Sequence, residues 1–358
     1  MTKKYTTFAI AAAVYAAFAV YLYHPYFRGF RSPRIQDLFV ANVFLASLGC
    51  YVLSRRWVAG FAESFFAGAI YGFGPFALGL AKFHPTTGIL FAAIPWLFCP
   101  AVFGPKGKYK PLRILLSLLP FLAIVLFFQL SARFGLYPIP IKLKLHGADL
   151  AGLLAPLVAT KRNMTLVGFY HIPIASLIMG FSMLLVGLEG LGKGGILQRG
   201  KFLKDLVARR FGIVIIFAVA TVLAFCESFF DISPIIWLAI STLCCSVLIG
   251  VGMQGFICAG FADRKWILFT AIVMCILAII ILLFATKYFQ TFAGLGSGYA
   301  RLLTEEAKMY ILGAITVAIF FFTVRAKLRM HMLKVGLLCA TMGLDIFLGA
   351  RFVVDSIL

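Results

Sequence analysis

Apolar runs of about 20 residues recur along this chain, and that is the length an α-helix needs to cross roughly 30 Å of hydrocarbon. They cover 5 to 23, 38 to 53, 57 to 81, 86 to 103, 112 to 132, 172 to 191, 211 to 230, 234 to 260, 266 to 285, 307 to 324 and 335 to 354. Inside a bilayer the backbone has no water to bond, so only helices and closed barrels span it. A barrel would show alternating segments of about ten residues, and none are visible. Composition agrees, since 63% hydrophobic residues, 13% charged residues and 38 phenylalanines lie outside the range of soluble domains. The expected fold is an all-α polytopic membrane protein, a bundle of ten or eleven transmembrane helices with short loops. The longest connection, 133 to 171, is shorter than the usual lower limit of about 50 residues for a separate domain. Residues 1 to 358 are therefore read as a single integral membrane domain.

Lys3 and Lys4 followed by Ala17-Phe18-Ala19 resemble a secretory signal with a cleavage site. The apolar run continues through Tyr23, which points instead to an uncleaved anchor. Basic residues in short loops favour the cytoplasmic side. With the N-terminus inside, most of the 33 Lys and Arg fall on that side, among them Arg55, Arg56, Lys106, Lys108, Lys110, Arg264 and Lys265. A bacterial cytoplasmic membrane is the expected location. The predicted outer loops still carry Arg28, Arg31 and Arg34, and Lys142, Lys144, His146 and Arg162. Either a span is miscounted there, or these residues meet anionic lipid headgroups. The formal charge of +21 suits an anionic membrane surface, and the lack of a soluble basic domain argues against nucleic acid.

Two connections are more than linkers. Residues 194 to 210 intersperse apolar and basic positions and read as an amphipathic helix on the cytoplasmic leaflet. Residues 137 to 163 open on PIP and IKLKL, then turn apolar, which suits an outer loop or a re-entrant turn whose backbone the protein itself must satisfy. The eight cysteines all lie in or beside apolar spans without a CxxC pair, where cysteine behaves as a small hydrophobe. Neither a disulfide framework, a metal site nor any other cofactor is expected from them.

Acids inside spans cost at least about 2.5 kcal/mol near the bilayer centre, which makes Asp345 and Glu63 the first candidates for a working site. Asp345 follows Lys334 by roughly 16 Å of helix, close to the midplane. Gly343 and Gly349 beside it predict a close helix neighbour, and desolvation there would favour proton exchange or cation binding. Glu63 borders a seam of Ser64, Gly68 and Gly72 at helical spacing, a packing pattern of membrane helices. Gly74-Pro75 then predicts a kink or break, a device that transporters use at midplane sites. The tetrapeptide ESFF recurs at 227 to 230, but at a different depth, so no repeat is read from it. Gln254, among Gly250, Gly252 and Gly255, is a third polar candidate, while Asn42 reads as interhelical glue.

Four of the five histidines, His24, His84, His146 and His171, fall at the predicted outer side, and three sit beside prolines at span ends. That position suits interfacial punctuation, with zinc or haem ligation as the rival. Transport of a small solute or lipid, with protons as a candidate coupling ion, fits the intramembrane acids and the interrupted spans. A lipid-linked glycosyl or acyl transferase acting through the outer basic residues is the alternative, and a non-catalytic membrane subunit is a third. Substrate and oligomeric state are not encoded in any motif.

Overall fold

Proline and glycine decide where the apolar runs break. The computed structural model describes residues 2–29, 33–58, 60–104, 110–134, 143–158, 168–189, 212–229, 231–286, 298–326 and 331–357, and every regular element among them is helical. Helices α1 (Thr2–Tyr23) and α2 (Pro33–Ser54) are continuous. The run 57 to 81 is split into α3 (Phe61–Phe73) and α4 (Pro75–Phe83), with Gly74 extended between them (φ −67°, ψ 157°). A residue before proline is pushed out of the helical region, and Pro75 has no N–H to continue the ladder. His84-Pro85 repeats the device and separates α4 from α5 (Pro85–Phe103), which stays helical through Pro95 and Pro100. The run 112 to 132 also divides, at Leu118, into α6 (Lys110–Ser117) and α7 (Leu119–Phe134). Pro120 occupies the first turn of α7, where its missing N–H costs nothing.

Beyond these come α8 (Ala151–Leu154), a helical turn at 156 to 158, α9 (His171–Glu189) and α10 (Gly212–Phe225). The chain continues through α11 (Leu238–Cys258), α12 (Arg264–Ala285), α13 (Gly298–Arg325) and α14 (His331–Ile357). Six described helices are long and apolar enough to cross a membrane, and four shorter apolar ones accompany them. The protein is an all-α polytopic membrane protein. The expected amphipathic linker 194 to 210 lies outside the described residues, as do Arg31, Lys142 and Arg162.

Burial orders the bundle. In α11 and the turn before it, 94% of the apolar window is buried, against 33% in α12, so α11 is the central post and α12 a peripheral helix. The exposed face of α12, including Phe269, Ile272, Ile276 and Ile279, is apolar because its solvent is lipid. Lipid tails are as apolar as leucine, so helices in a bilayer associate through close packing rather than hydrophobic expulsion. Gly68 and Gly72 of α3 bring that helix onto Ser47 of α2, where an added methyl would overlap the Ser47 main chain. Cys50 Sγ and Ser54 Oγ reach the Ala67 and Ser64 carbonyls across the same contact, at 3.4 and 3.5 Å. On the other flank Gly250 of α11 meets the Glu63 carbonyl and Ala67, and Gly252 meets Ser176 and Gly180 of α9. Buried Lys334 donates from Nζ to the Ala259 carbonyl (3.1 Å) at the end of α11, where a cation complements the helix dipole.

Candidate functional site

Three ionisable side chains from three distant segments are buried in one region of the interior: His171 at the start of α9 pairs with Asp345 of α14 and packs edge-on to Tyr310, one helical turn along α13 from Glu306. His171, Asp345 and Glu306 are 2%, 1% and 0% exposed, respectively. Each acid ends on a helix terminus. Tyr170 flanks the first turn of α9, and the orphan N–H of Ile172 donates to Asp345 Oδ2 at 2.7 Å. The second oxygen, Oδ1, lies 2.9 Å from His171 Nδ1. The carboxylate thus meets both a ring nitrogen and the positive end of α9, two interactions that offset its desolvation.

Glu306 makes the corresponding arrangement with the 151 to 158 segment. Its Oε1 accepts the N–H groups of Leu157 (2.6 Å) and Val158 (3.2 Å), the orphan donors of the turn that opens at Pro156. One helical turn further along α13, the Tyr310 hydroxyl donates to the Leu154 carbonyl at 2.6 Å. The gap between α8 and the next turn would strand backbone groups in a dry interior. Glu306 and Tyr310 bond to both sides of it from a single helix face.

Tyr170 and His171 join this cluster to the α3/α4 break. The Tyr170 hydroxyl donates to the Phe73 carbonyl, one residue before Gly74. Its ring lies against Gly349, where a side chain on α14 would collide with it. His171 stands edge-on to the Tyr310 ring at 4.5 Å between centroids. Asp345 and Gly74-Pro75, two separate candidates in the sequence, are thereby connected through two adjacent residues of one loop.

Two polar atoms within this cluster remain unsatisfied: His171 Nε2 and Glu306 Oε2 are buried without a hydrogen-bond partner. With Asp345 ionised, Nδ1 carries the ring hydrogen and Nε2 presents its lone pair, so the imidazole can take a proton there. Glu306 Oε2 can hold or release one while Oε1 keeps its two backbone donors. The cluster has the parts of a proton-exchanging site.

The remaining candidates lie elsewhere. Glu63 sits in the first turn of α3, its carboxylate folded back over Gly60, which gives it a local role at a helix N-terminus. Ser64 Oγ bonds back to the Gly60 carbonyl (3.1 Å). Gln254 is half-buried on α11, and Asn42 donates to the Pro85 carbonyl (3.2 Å). Arg28 lies in the turn His24–Gly29 and Arg34 in the first turn of α2. Lys144 is half-buried, and exposed His146 donates its backbone N–H to Asp149 (2.9 Å). Among the described residues no group of three or more His, Cys, Asp or Glu side chains is arranged to hold a metal ion.

Two sequence expectations are corrected. His171 is a buried partner of Asp345 rather than interfacial punctuation, and Gly343 has no close neighbour while Gly349 does. Glu306 escaped notice because it stands one position before the apolar run 307 to 324, beside Glu305 and Lys308. The signal available was periodicity: Leu303, Glu306 and Tyr310 share a face of α13 once the helix is extended to Gly298. Comparison of the chain with protein-family models, curated proteins and solved structures finds no match.

Proposed function

We propose that this protein is a proton-coupled membrane transporter for a small solute, with Asp345, His171 and Glu306 as its proton-carrying site. The carrying observation is that His171 Nε2 and Glu306 Oε2, two of the five buried side-chain atoms without a partner among the described residues, belong to this one cluster and are both groups that can take up or release a proton. Two further features support the reading. Glu306 holds the start of the short turn at 156 to 158, beside a break of the kind that transporters place around their sites, and Tyr170 ties the cluster to the α3/α4 break. Protonation of Asp345 would weaken its hold on His171 and on the first turn of α9, so proton binding and helix position are linked.

The test is reconstitution into liposomes carrying a luminal pH dye, challenged with gradients drawn from a panel of cations, amino acids, sugars and organic acids. One solute class should drive a luminal pH change, and Glu306→Gln and His171→Gln should abolish it. Wild-type solute and proton movement in both variants would overturn the assignment of the site. Failure of every solute to move, with a lipid-linked product formed instead, would replace the transport reading with a transferase.

A further inference from the structure

A second feature lies at another end of the bundle and does not rest on the transport reading. Where α2, α5, α6, α10 and α11 diverge, a cavity of about 490 Å³ opens, within the size range of small-molecule sites. Of its lining, Leu53, Phe98, Leu243 and Val247 are buried, whereas Arg56, Trp57 and Ser117 are half-buried and are taken as its mouth. Arg56 ends α2 with its backbone N–H on the Leu53 carbonyl (3.2 Å). No carboxylate lies within ion-pair distance of its guanidinium among the described residues.

Apolar walls alone select nothing in a bilayer, because a lipid chain gains no hydrophobic transfer energy by leaving other lipid chains. Selection must come from the mouth. There the guanidinium offers the planar donor fork that suits a phosphate, and the Trp57 indole has the amphipathic character of residues at headgroup level. The chain segments that run in sequence into the lining residues Val102, Ile114 and Gly212 carry the same sign. Segment 105 to 113 has Lys106, Lys108, Lys110 and Arg113 without an acid, and 190 to 211 has six basic residues against Asp205 alone. Charge complementarity therefore favours an anion over a zwitterion. A cavity at the far end of α1, about 530 Å³ in volume, shows the contrast: its Arg351 is already paired with Asp355 at 3.7 Å.

The geometry points to a binding site for one anionic phospholipid of the adjoining leaflet, its phosphate on Arg56 and one acyl chain between Leu53, Phe98, Leu243 and Val247. A neutral solute would leave the guanidinium uncompensated, and a soluble phosphate would leave the apolar chamber unfilled. Native mass spectrometry of the full chain in detergent tests this, with phosphatidylglycerol and phosphatidylcholine of identical chains as probes. Wild type should retain one phosphatidylglycerol per chain with about tenfold preference, because the phosphatidylcholine phosphate is already neutralised by its own ammonium, which the basic surroundings repel. Arg56→Gln should bring the ratio to about one. Val247→Trp, which fills the chamber, should lower retention of both lipids while the melting temperature stays at the wild-type value. An unchanged preference in Arg56→Gln would overturn the headgroup assignment, and equal competition by glycerol phosphate would overturn the acyl-chain assignment. These two readouts decide the matter even if Val247→Trp fails to fold.

Discussion

The two buried acids differ in how many of their oxygens are committed, and substitution by the matching amide separates them. Glu306 holds both the Leu157 and Val158 N–H groups on Oε1 alone. A glutamine carbonyl can take over both bonds, so Glu306→Gln should melt within about 1 kcal/mol of wild type. Its amide cannot exchange a proton at the position of Oε2, so proton movement in the liposome assay should vanish. Asp345 accepts on both oxygens. In Asp345→Asn the amide oxygen can keep the Ile172 N–H only with the amide nitrogen facing His171 Nδ1, which moves the ring hydrogen to Nε2, where it has no acceptor. That variant should lose about 1–3 kcal/mol as well as function, and thermal melting in detergent distinguishes the two. Glu306→Leu strands two N–H groups, and each should cost about 1–3 kcal/mol. Full proton flux in a stable Glu306→Gln would reduce that residue to a helix cap. Asp345 stands out in the sequence because a charge amid apolar residues is expensive wherever the fold puts it. His171 does not, since 174 residues separate it from its partner and a histidine beside proline at a span end is common.

Among the elements, glycine meaning depends on the neighbour, which a sequence cannot supply. Gly343 and Gly349 look equivalent in GLDIFLGARF, yet a methyl at 343 meets nothing within 4 Å while one at 349 enters the Tyr170 ring. Gly343→Ala should raise stability by about 0.5–1 kcal/mol, the difference in helix propensity. Gly349→Ala should lower it by about 1–3 kcal/mol through overpacking, and Tyr170→Leu should recover part of that loss in the double variant. Opposite shifts in melting temperature check the pair, and equal shifts would mean that α14 does not seat on Tyr170. The α3/α4 break is a different case. Gly74-Pro75 encodes it locally, through the dihedral limits of proline and its predecessor, so its position can be read directly. The start of α13 cannot, because Gly298 to Glu306 is mixed in polarity and becomes helix through burial of Tyr299, Leu303 and Glu306 against the bundle.

At the scale of the whole molecule, the number of helices that truly cross fixes which loops share a face. A short candidate crossing is α10, whose described length from Gly212 to Phe225 spans about 21 Å at 1.5 Å per residue, short of the roughly 30 Å core. Its two ends nevertheless have opposite company. Gly212 and Ile213 border the cavity with Arg56, whereas the Ala224 carbonyl accepts the Leu145 N–H at 3.0 Å, beside exposed His146. If those ends face opposite leaflets, α10 crosses, with the bilayer thinning around it or the flanking residues making up the length. Three crossings, α9, α10 and α11, then separate His146 from exposed Lys265. In a cysteine-free background, His146→Cys and Lys265→Cys should react with a membrane-impermeant maleimide from opposite faces. The basic-loop bias predicts a cytoplasmic residue 265, and on that reading intact cells should label position 146 and require permeabilisation for 265. Labelling of both from one face would mean that α10 turns back within the bilayer. Lys144 and His146, expected outside, would then face the cytoplasm.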